Sequence, residues 1–189
     1  NGGKFLVAGR KCDTRFVTLA DIPIPAEFSG LFRELPENEF RTDISSIPAD
    51  VPYLHAEDGL AAQWKDRLGS DGFKIGIVWQ GNPSGIIDRG RSIHLREFFP
   101  LARIKGVRLI SLQKSHGLDQ FGEVPPDIEI ETLGDDFDSG PDAFIDTAAV
   151  MSQLDLVISS DTSIAHLAGA LGRPVWVALK YVPDWRWLL

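Results

Sequence analysis

From residue 72 onward, short apolar runs alternate with amphipathic segments, and this alternation most constrains the fold. The apolar runs are all of strand length and cover 74–79, 107–112, 156–159 and 174–179, with a weaker one at 128–132. Helices are predicted between them, over 95–104, 144–154 and 162–171, and Gly172 and Pro174 close the last helix. Trp79 and Trp176 lie in strands and are predicted core residues. Strands that are apolar on both faces and alternate with helices predict an α/β fold with a doubly wound, Rossmann-like parallel sheet.

Residues 1–71 have a less regular pattern of apolar and polar residues. Five prolines fall between residues 21 and 53, and the periodic segments are strands predicted at 4–8 and 15–19 and a helix at 58–68. We therefore expect an irregular N-terminal remnant at 1–71 and a Rossmann-like domain at 72–189. The chain starts at Asn1 rather than methionine and stops at Leu189 without a polar tail, so we expect a C-terminally truncated piece of a longer protein.

The composition argues against several classes of protein. The formal net charge is −8, whereas binding to duplex nucleic acid needs a basic surface. The single cysteine, Cys12, cannot form an intramolecular disulfide, which fits a cytoplasmic location. No apolar run approaches the roughly 20 residues of a membrane-spanning helix. The sequence also lacks a Cys/His cluster for zinc and a G-x-S-x-G nucleophile motif.

Ligands of open parallel sheets bind beyond the carboxyl ends of the strands, near the point where the strand order reverses. Function is therefore expected in the loops at 80–94, 113–118, 133–142 and 159–163.

The segment 159–166 (SSDTSIAH) runs from a buried strand into a helix. Asp161 is the predicted N-cap, and the free N–H groups near Thr162 and Ser163 form an anion site aided by the helix dipole. Thr162, Ser163 and His166 share one helix face, which suits a pyrophosphate. The alternative is that Asp161 only caps the helix and His166 only packs.

The loop at 80–92 follows the first strand of the regular region. Gly81 permits close backbone approach beside Asn82, and Arg89 and Arg91 could neutralise phosphate charge. The loop matches neither the dinucleotide fingerprint nor a Walker A motif. The alternative is a flexible, solvated loop.

Polar residues also follow the strand predicted at 107–112 and lie around the start of the helix predicted at 144–154. Gln113 and Lys114 are expected to face the same cleft, where Lys114 either pairs with a phosphate or sugar hydroxyl or is an ordinary surface lysine. The acidic loop 134–140 contains Asp-x-Asp, which suggests a hard cation, but its flanking glycines favour a solvated turn and no metal is predicted. Asp146 is a predicted N-cap that could also approach the base or ribose of a ligand.

Seven segments, taken in order, resemble the C-terminal domain of the heptosyltransferase-like (glycosyltransferase family 9-like) proteins found at the end of bacterial TPR-repeat chains. They are IVWQGNP (77–83), DRGRSI (88–93), SLQK (111–114), DTAA (146–149), DLVIS (155–159), DTSIAHLAGALGRPVW (161–176) and PDWRW (183–187). The resemblance implies a GT-B fold, in which the second of two Rossmann-like halves binds the donor. It also implies inverting, metal-independent transfer of a sugar from a nucleotide diphosphate sugar to a saccharide or protein acceptor, without a cofactor.

The resemblance also implies roles for particular residues. The turn 161–163 and His166 match the donor-diphosphate motif, although the heptosyltransferases usually have glycine where this chain has Ser163. Arg91 falls near a basic residue that binds the phosphates, and Gln113 and Lys114 fall near the ribose and base contacts. Gly81 and Asn82 lie in the matching glycine-containing loop, which we include in the donor site.

The catalytic base of this family is expected in the N-terminal half. Asp13 and Asp21 are mere candidates, and no catalytic residue is assigned. Three hypotheses therefore stand: a sugar transferase, a non-catalytic nucleotide-sugar-binding module of a TPR scaffold, or another GT-B-like enzyme such as a nucleotide-sugar 2-epimerase. The last would need two carboxylates flanking the sugar, and the sequence offers no such pair.

Overall fold

The computed structural model describes residues 6–8, 50–84, 88, 90–184 and 187. Residues 6–8 and the described residues from 51 to 187 belong to one compact unit. Several predictions lie outside the described residues. They are the strand at 15–19, Cys12, the candidate bases Asp13 and Asp21, and the phosphate-neutralising role of Arg89.

The described elements follow the predicted alternation of strands and helices. In chain order they are β1 (Leu6–Ala8), α1 (Asp58–Leu68), β2 (Phe73–Val78), a 3₁₀ turn (Leu95–Phe98) leading into α2 (Phe99–Ala102), β3 (Val107–Ser111), a second 3₁₀ segment (Leu118–Glu123), α3 (Ile145–Met151), β4 (Leu156–Ser160), α4 (Ser163–Ala170) and β5 (Val175–Leu179).

The strands form one sheet in the order β1-β5-β4-β2-β3. Strands β2 to β5 are parallel, and β1 adds to the outer side of β5 in the antiparallel direction. The chain passes from β2 to β3 on one side and then crosses to β4 on the other side of β2, so the strand order reverses between β2 and β4. The predicted parallel α/β sheet is confirmed, while the antiparallel pairing of β1 was not predicted.

Two apolar layers cover the two faces of this sheet. On one face, Val78, Ile110 and Val157 pack with residues of α1, α3 and α4. On the other face, Ile77 and Ile158 pack with the segment 95–102. Side chains of a strand alternate between faces, so the continuous apolar runs supply both layers.

Helix α1 packs on the sheet domain through Trp64 and Leu68, which belong to the same core layer as α3. This helix lies before residue 72, where the sequence analysis placed the start of the domain. The division at that residue stays a prediction.

The end of α4 follows the predicted glycine stop. Gly172 has a φ of 67°, in the left-handed region that glycine tolerates. Its N–H donates to the Gly169 carbonyl at 3.0 Å, and the Arg173 N–H donates to the Ala168 carbonyl at 2.8 Å. These are the two hydrogen bonds of a Schellman motif, which satisfies carbonyls at a helix end.

Two predictions for the strands were wrong. The weak strand at 128–132 is an isolated bridge, in which Glu131 exchanges backbone hydrogen bonds with Leu109 and Ser111. Trp176 is 44% exposed. It pairs in register with Ile158 and shares its face, but the helical segment on that face contacts β3, at the far end of the sheet.

Candidate functional site

A cavity of about 400 Å³ opens at the carboxyl edge of the sheet, beyond the ends of β2, β3 and β4. It therefore lies where the strand order reverses, the expected place for a ligand in such a sheet. All four loops singled out from the sequence contribute to its lining. Seven predicted site residues are among the lining residues: Gly81, Asn82, Arg91, Gln113, Lys114, Thr162 and Ser163.

Gln113 forms the frame of the cavity. Its Oε1 accepts hydrogen bonds from the N–H groups of Trp79 and Gln80, both at 3.0 Å. Its Nε2 donates to the carbonyls of Gln80 and His116, both at 2.8 Å. Both lone pairs of the oxygen and both amide hydrogens are thus used, so this 8% exposed side chain has little capacity left for a ligand. We infer that Gln113 shapes the site by joining the loops after β2 and β3.

Arg91 lies directly over Gly81. A Cβ atom on Gly81 would clash with Arg91 Nη2, so a side chain at this position would displace the guanidinium from its present place. The Nε and Nη2 groups of Arg91 both donate to Asp88 Oδ1, at 3.1 and 3.0 Å. Ser92 Oγ donates to the same oxygen and accepts from the Gly81 N–H. The guanidinium is held in place at the cavity wall, and Asp88 partly offsets its charge.

Lys114 is the less compensated cation of the cavity. Its ammonium group donates to the carbonyl of Phe137, and to that of Asp138 at 3.3 Å, and it lies 5.5 Å from the centre of the Phe137 ring. Among the described residues, no carboxylate forms an ion pair with it. Carbonyl dipoles orient this cation without cancelling its charge, which favours an anionic ligand nearby.

The start of α4 differs from the prediction in one residue. Thr162, not Asp161, is the N-cap, with extended backbone (φ −134°, ψ 173°), and no side chain of the described residues caps the helix. The Thr162 hydroxyl instead pairs with Ser159 Oγ at 3.0 Å. The first-turn residues Ser163 and Ile164 line the cavity, and the N–H groups of a helix start that no side chain caps are available to an anionic ligand.

Asp161 and His166 lie outside the lining of this cavity. Asp161 borders a small neighbouring depression together with Arg91. His166 is exposed and stacks on Trp187, with ring centres 5.3 Å apart and planes at 15°. Their predicted contacts with a diphosphate stay predictions.

The acidic loop organises the start of α3. Asp138 Oδ1 accepts from the N–H groups of Asp146 and Thr147, at 2.9 and 3.3 Å, and its Oδ2 accepts from the Thr147 hydroxyl. The prediction that Asp146 caps this helix was wrong, because Phe144 is the N-cap residue and Asp138 supplies the capping carboxylate. Asp146 accepts from Trp64 Nε1 at 2.8 Å and from the Asp138 N–H.

Nine further residues line the cavity that the sequence analysis did not assign to the donor site: Val78, Gln80, Leu112, Ser115, His116, Asp138, Phe144, Thr147 and Ile164. Ser115, Asp138 and Phe144 have positive φ angles. Only the clustering of turn-forming residues near 134–140 signalled part of this group beforehand, since positive φ at serine, aspartate or phenylalanine leaves no mark in the sequence.

Two further observations concern the described part of the chain alone. It contains no group of three or more His, Cys, Asp or Glu side chains arranged to hold a metal ion. None of its helices has the length and apolar character needed to cross a bilayer.

Comparison with solved structures finds a similar fold in E. coli ADP-heptose lps heptosyltransferase II, with a TM-score of 0.51 and 16% sequence identity. The similarity covers 68% of this chain and 40% of the solved chain. Protein FlbA of Caulobacter vibrioides is 27% identical over 146 residues, which are 72% of this chain and 23% of FlbA. The chain therefore spans less than half the length of either protein.

The sequence comparison bears on the part of the chain that surrounds the start of α4. Residues 140–179, which contain α3, β4, α4 and β5, match the profile of glycosyltransferase family 9 (heptosyltransferase), so this part of the chain is heptosyltransferase-like in sequence.

Proposed function

We propose that this chain binds a nucleotide diphosphate sugar in the cavity and serves in the transfer of that sugar to an acceptor. One observation carries the proposal: the uncapped start of α4 and the cation Lys114, which lacks a carboxylate partner among the described residues, line the same cavity at the reversal of strand order. Helix N-termini and cations are the protein groups that bind phosphate. The family 9 match covers this helix start and supports the same interpretation.

Sugar transfer requires that the leaving diphosphate be stabilised as the glycosidic bond breaks. Oriented N–H donors and fixed cations can do this without rearranging in the transition state, which is often the largest part of catalysis. We propose that the Ser163 region, Lys114 and Arg91 take this role in a metal-independent reaction. The orientation of Arg91 by Asp88 supports such a preorganised arrangement.

We further propose that the acceptor hydroxyl displaces the diphosphate in one step, which inverts the configuration at the sugar. Asp138 is the one carboxylate among the described lining residues, and it is bound to the start of α3. It is therefore poorly suited to form a covalent sugar intermediate. A base for the acceptor would come from outside the described lining, and Asp13 and Asp21 stay candidates.

The same observation favours a second candidate function, a binding module without transfer activity. If the longer protein supplies no base, the cavity would bind the nucleotide sugar and hold it. Fusion to TPR repeats and a cytoplasmic location are likewise predictions. Product analysis with a labelled nucleotide sugar and the full-length protein would separate transfer from binding alone.

Substitution of Ser163 by proline tests the helix start directly. Ser163 is the first residue of α4, where proline is tolerated, and the extended backbone of Thr162 is compatible with a following proline. Ser163→Pro thus removes one N–H donor and should leave the helix intact. The loss of a hydrogen bond to a charged group, worth about 1.5–3 kcal/mol, should weaken binding of ADP, UDP or GDP tenfold or more in calorimetric titration.

Ser163→Ala is the matched control, because it removes the hydroxyl and keeps the N–H. We expect the alanine variant to bind the preferred nucleotide within a few-fold of the wild type. Equal binding by the proline variant and the wild type would show that the helix start does not hold the diphosphate.

A further inference from the structure

Phe144 has a backbone conformation that its side chain does not favour. It immediately precedes α3, with a φ of 70° and a ψ of 4°. A bulky residue in the left-handed region is uncommon and strained, and such strain tends to occur at functional sites. The side chain does not gain a place in the core in return, since the residue is 42% exposed and lines the cavity.

Contacts on the two sides of Phe144 impose this conformation. The Asp138 carboxylate receives the N–H groups of Asp146 and Thr147, which fixes the first turn of α3 against the preceding loop. The Phe144 carbonyl accepts from the Ala148 N–H at 2.9 Å, which ties the residue to the helix. These contacts would hold the backbone at position 144 with any side chain, so they do not explain why an exposed aromatic residue stands there.

We propose that Phe144 is an aromatic platform on which the nucleobase of the bound nucleotide stacks; this inference rests on the proposed function. The cavity joins the start of α4, after β4, to Lys114, after β3, and to Phe144 at the start of α3. With the diphosphate at the first two positions, the base extends toward Phe144. An exposed ring beside a phosphate site is the arrangement by which proteins stack bases.

Stacking on Phe144 would give little selectivity between nucleobases. Every nucleobase has a π-face, so an aromatic platform binds different bases with similar strength. Gln113, the buried amide in the cavity lining, uses its hydrogen-bonding capacity within the protein and so does not select between bases. The platform therefore contributes affinity for any nucleoside diphosphate.

Phe144→Gly separates binding from folding because the two effects have opposite signs. Glycine tolerates positive φ, so this variant should have an unchanged or higher Tm. The loss of stacking should weaken the binding of ADP, UDP and GDP about tenfold, equivalent to about 1.4 kcal/mol. Inorganic pyrophosphate, which has no base, should bind equally to the variant and the wild type. Phe144→Tyr keeps the ring and should bind all four probes like the wild type.

The outcomes distinguish this inference from the proposed function. If nucleotides bind Phe144→Gly as tightly as the wild type, the platform is refuted and the diphosphate site stands. If the wild type binds nucleotides no more tightly than pyrophosphate, the base makes no contact and the platform is again refuted. If neither nucleotides nor pyrophosphate bind the wild type, the proposed function itself fails and the platform with it.

Discussion

Replacing Gln113 by leucine would test whether this side chain frames the cavity or contacts the ligand. The substitution removes four hydrogen bonds to backbone groups, at 2.8 to 3.0 Å. The N–H of Trp79 is buried and would stay unsatisfied, at a cost of about 1–3 kcal/mol. The other three partners lie near the cavity, where water replaces part of the loss, at about 0.5 kcal/mol or more each. We therefore expect Gln113→Leu to lower the free energy of unfolding by about 3–4 kcal/mol.

Thermal and urea unfolding would measure this effect. For a chain of this size, about 3–4 kcal/mol corresponds to a fall in Tm of roughly 10 °C. Gln63→Leu on the exposed side of α1 is the matched control, since it makes the same chemical change where the glutamine is exposed, and it should alter Tm by only a degree or two. If Gln113→Leu unfolds like the control but loses nucleotide binding, Gln113 contacts the ligand and the framing argument is wrong.

Two further predictions concern stability alone. Ser160 Oγ is buried without a hydrogen-bond partner among the described residues, whereas Ser159 Oγ bonds to the Ser160 carbonyl and to Thr162. In urea unfolding, Ser160→Ala should therefore be neutral or stabilising by up to about 1 kcal/mol, and Ser159→Ala should be destabilising by about 1–2 kcal/mol. The reverse order of the two variants would contradict this assignment of hydrogen bonds. Arg108 binds both carboxylate oxygens of Glu131 at 2.7 Å, so Arg108→Lys should cost about 1–2 kcal/mol by loss of the bidentate geometry. The Glu131 hydrogen bond raises the pKa of Arg108, so its contribution is complete below the unfolded-state pKa and is lost only as the pH rises through the folded-state pKa. The difference between this variant and the wild type should thus stay constant from about pH 6 to 9, and a marked slope over that range would show that other groups dominate.

The parallel sheet could be predicted because apolar periodicity reports burial on both faces, as in β2 and β4. The prediction failed where burial depends on distant packing. Trp176 has the local pattern of a core strand, but the helical segment on its face packs on β3. The run at 128–132 alternates like a strand and forms only one bridge to β3. Neither the exposure of Trp176 nor the single bridge at 128–132 can be predicted from a window of ten residues.

The site shows the same division between local and distant determinants. The four loops could be placed at one edge of the sheet because all of them follow carboxyl ends of parallel strands or precede helices at that edge. The roles within the loops could not be assigned, because they depend on contacts across long sequence separations. Asp138 caps α3 from outside the helix, and Asp146 accepts from Trp64, 82 residues away in sequence. Residue type alone suggested Asp146 as the cap.

The distribution of charge explains how an acidic chain could hold the proposed diphosphate site. Counting basic residues in the loops overstates the positive charge, because Asp88 partly offsets Arg91 within the cavity wall. Arg91 contributes a guanidinium at a fixed place, because Gly81 leaves room for it where a side chain would displace it. Lys114 adds charge without a carboxylate partner among the described residues, and the start of α4 adds oriented N–H dipoles. Affinity for a diphosphate would then come mainly from fixed orientation at short range, which is screened by salt less than long-range attraction by a basic surface.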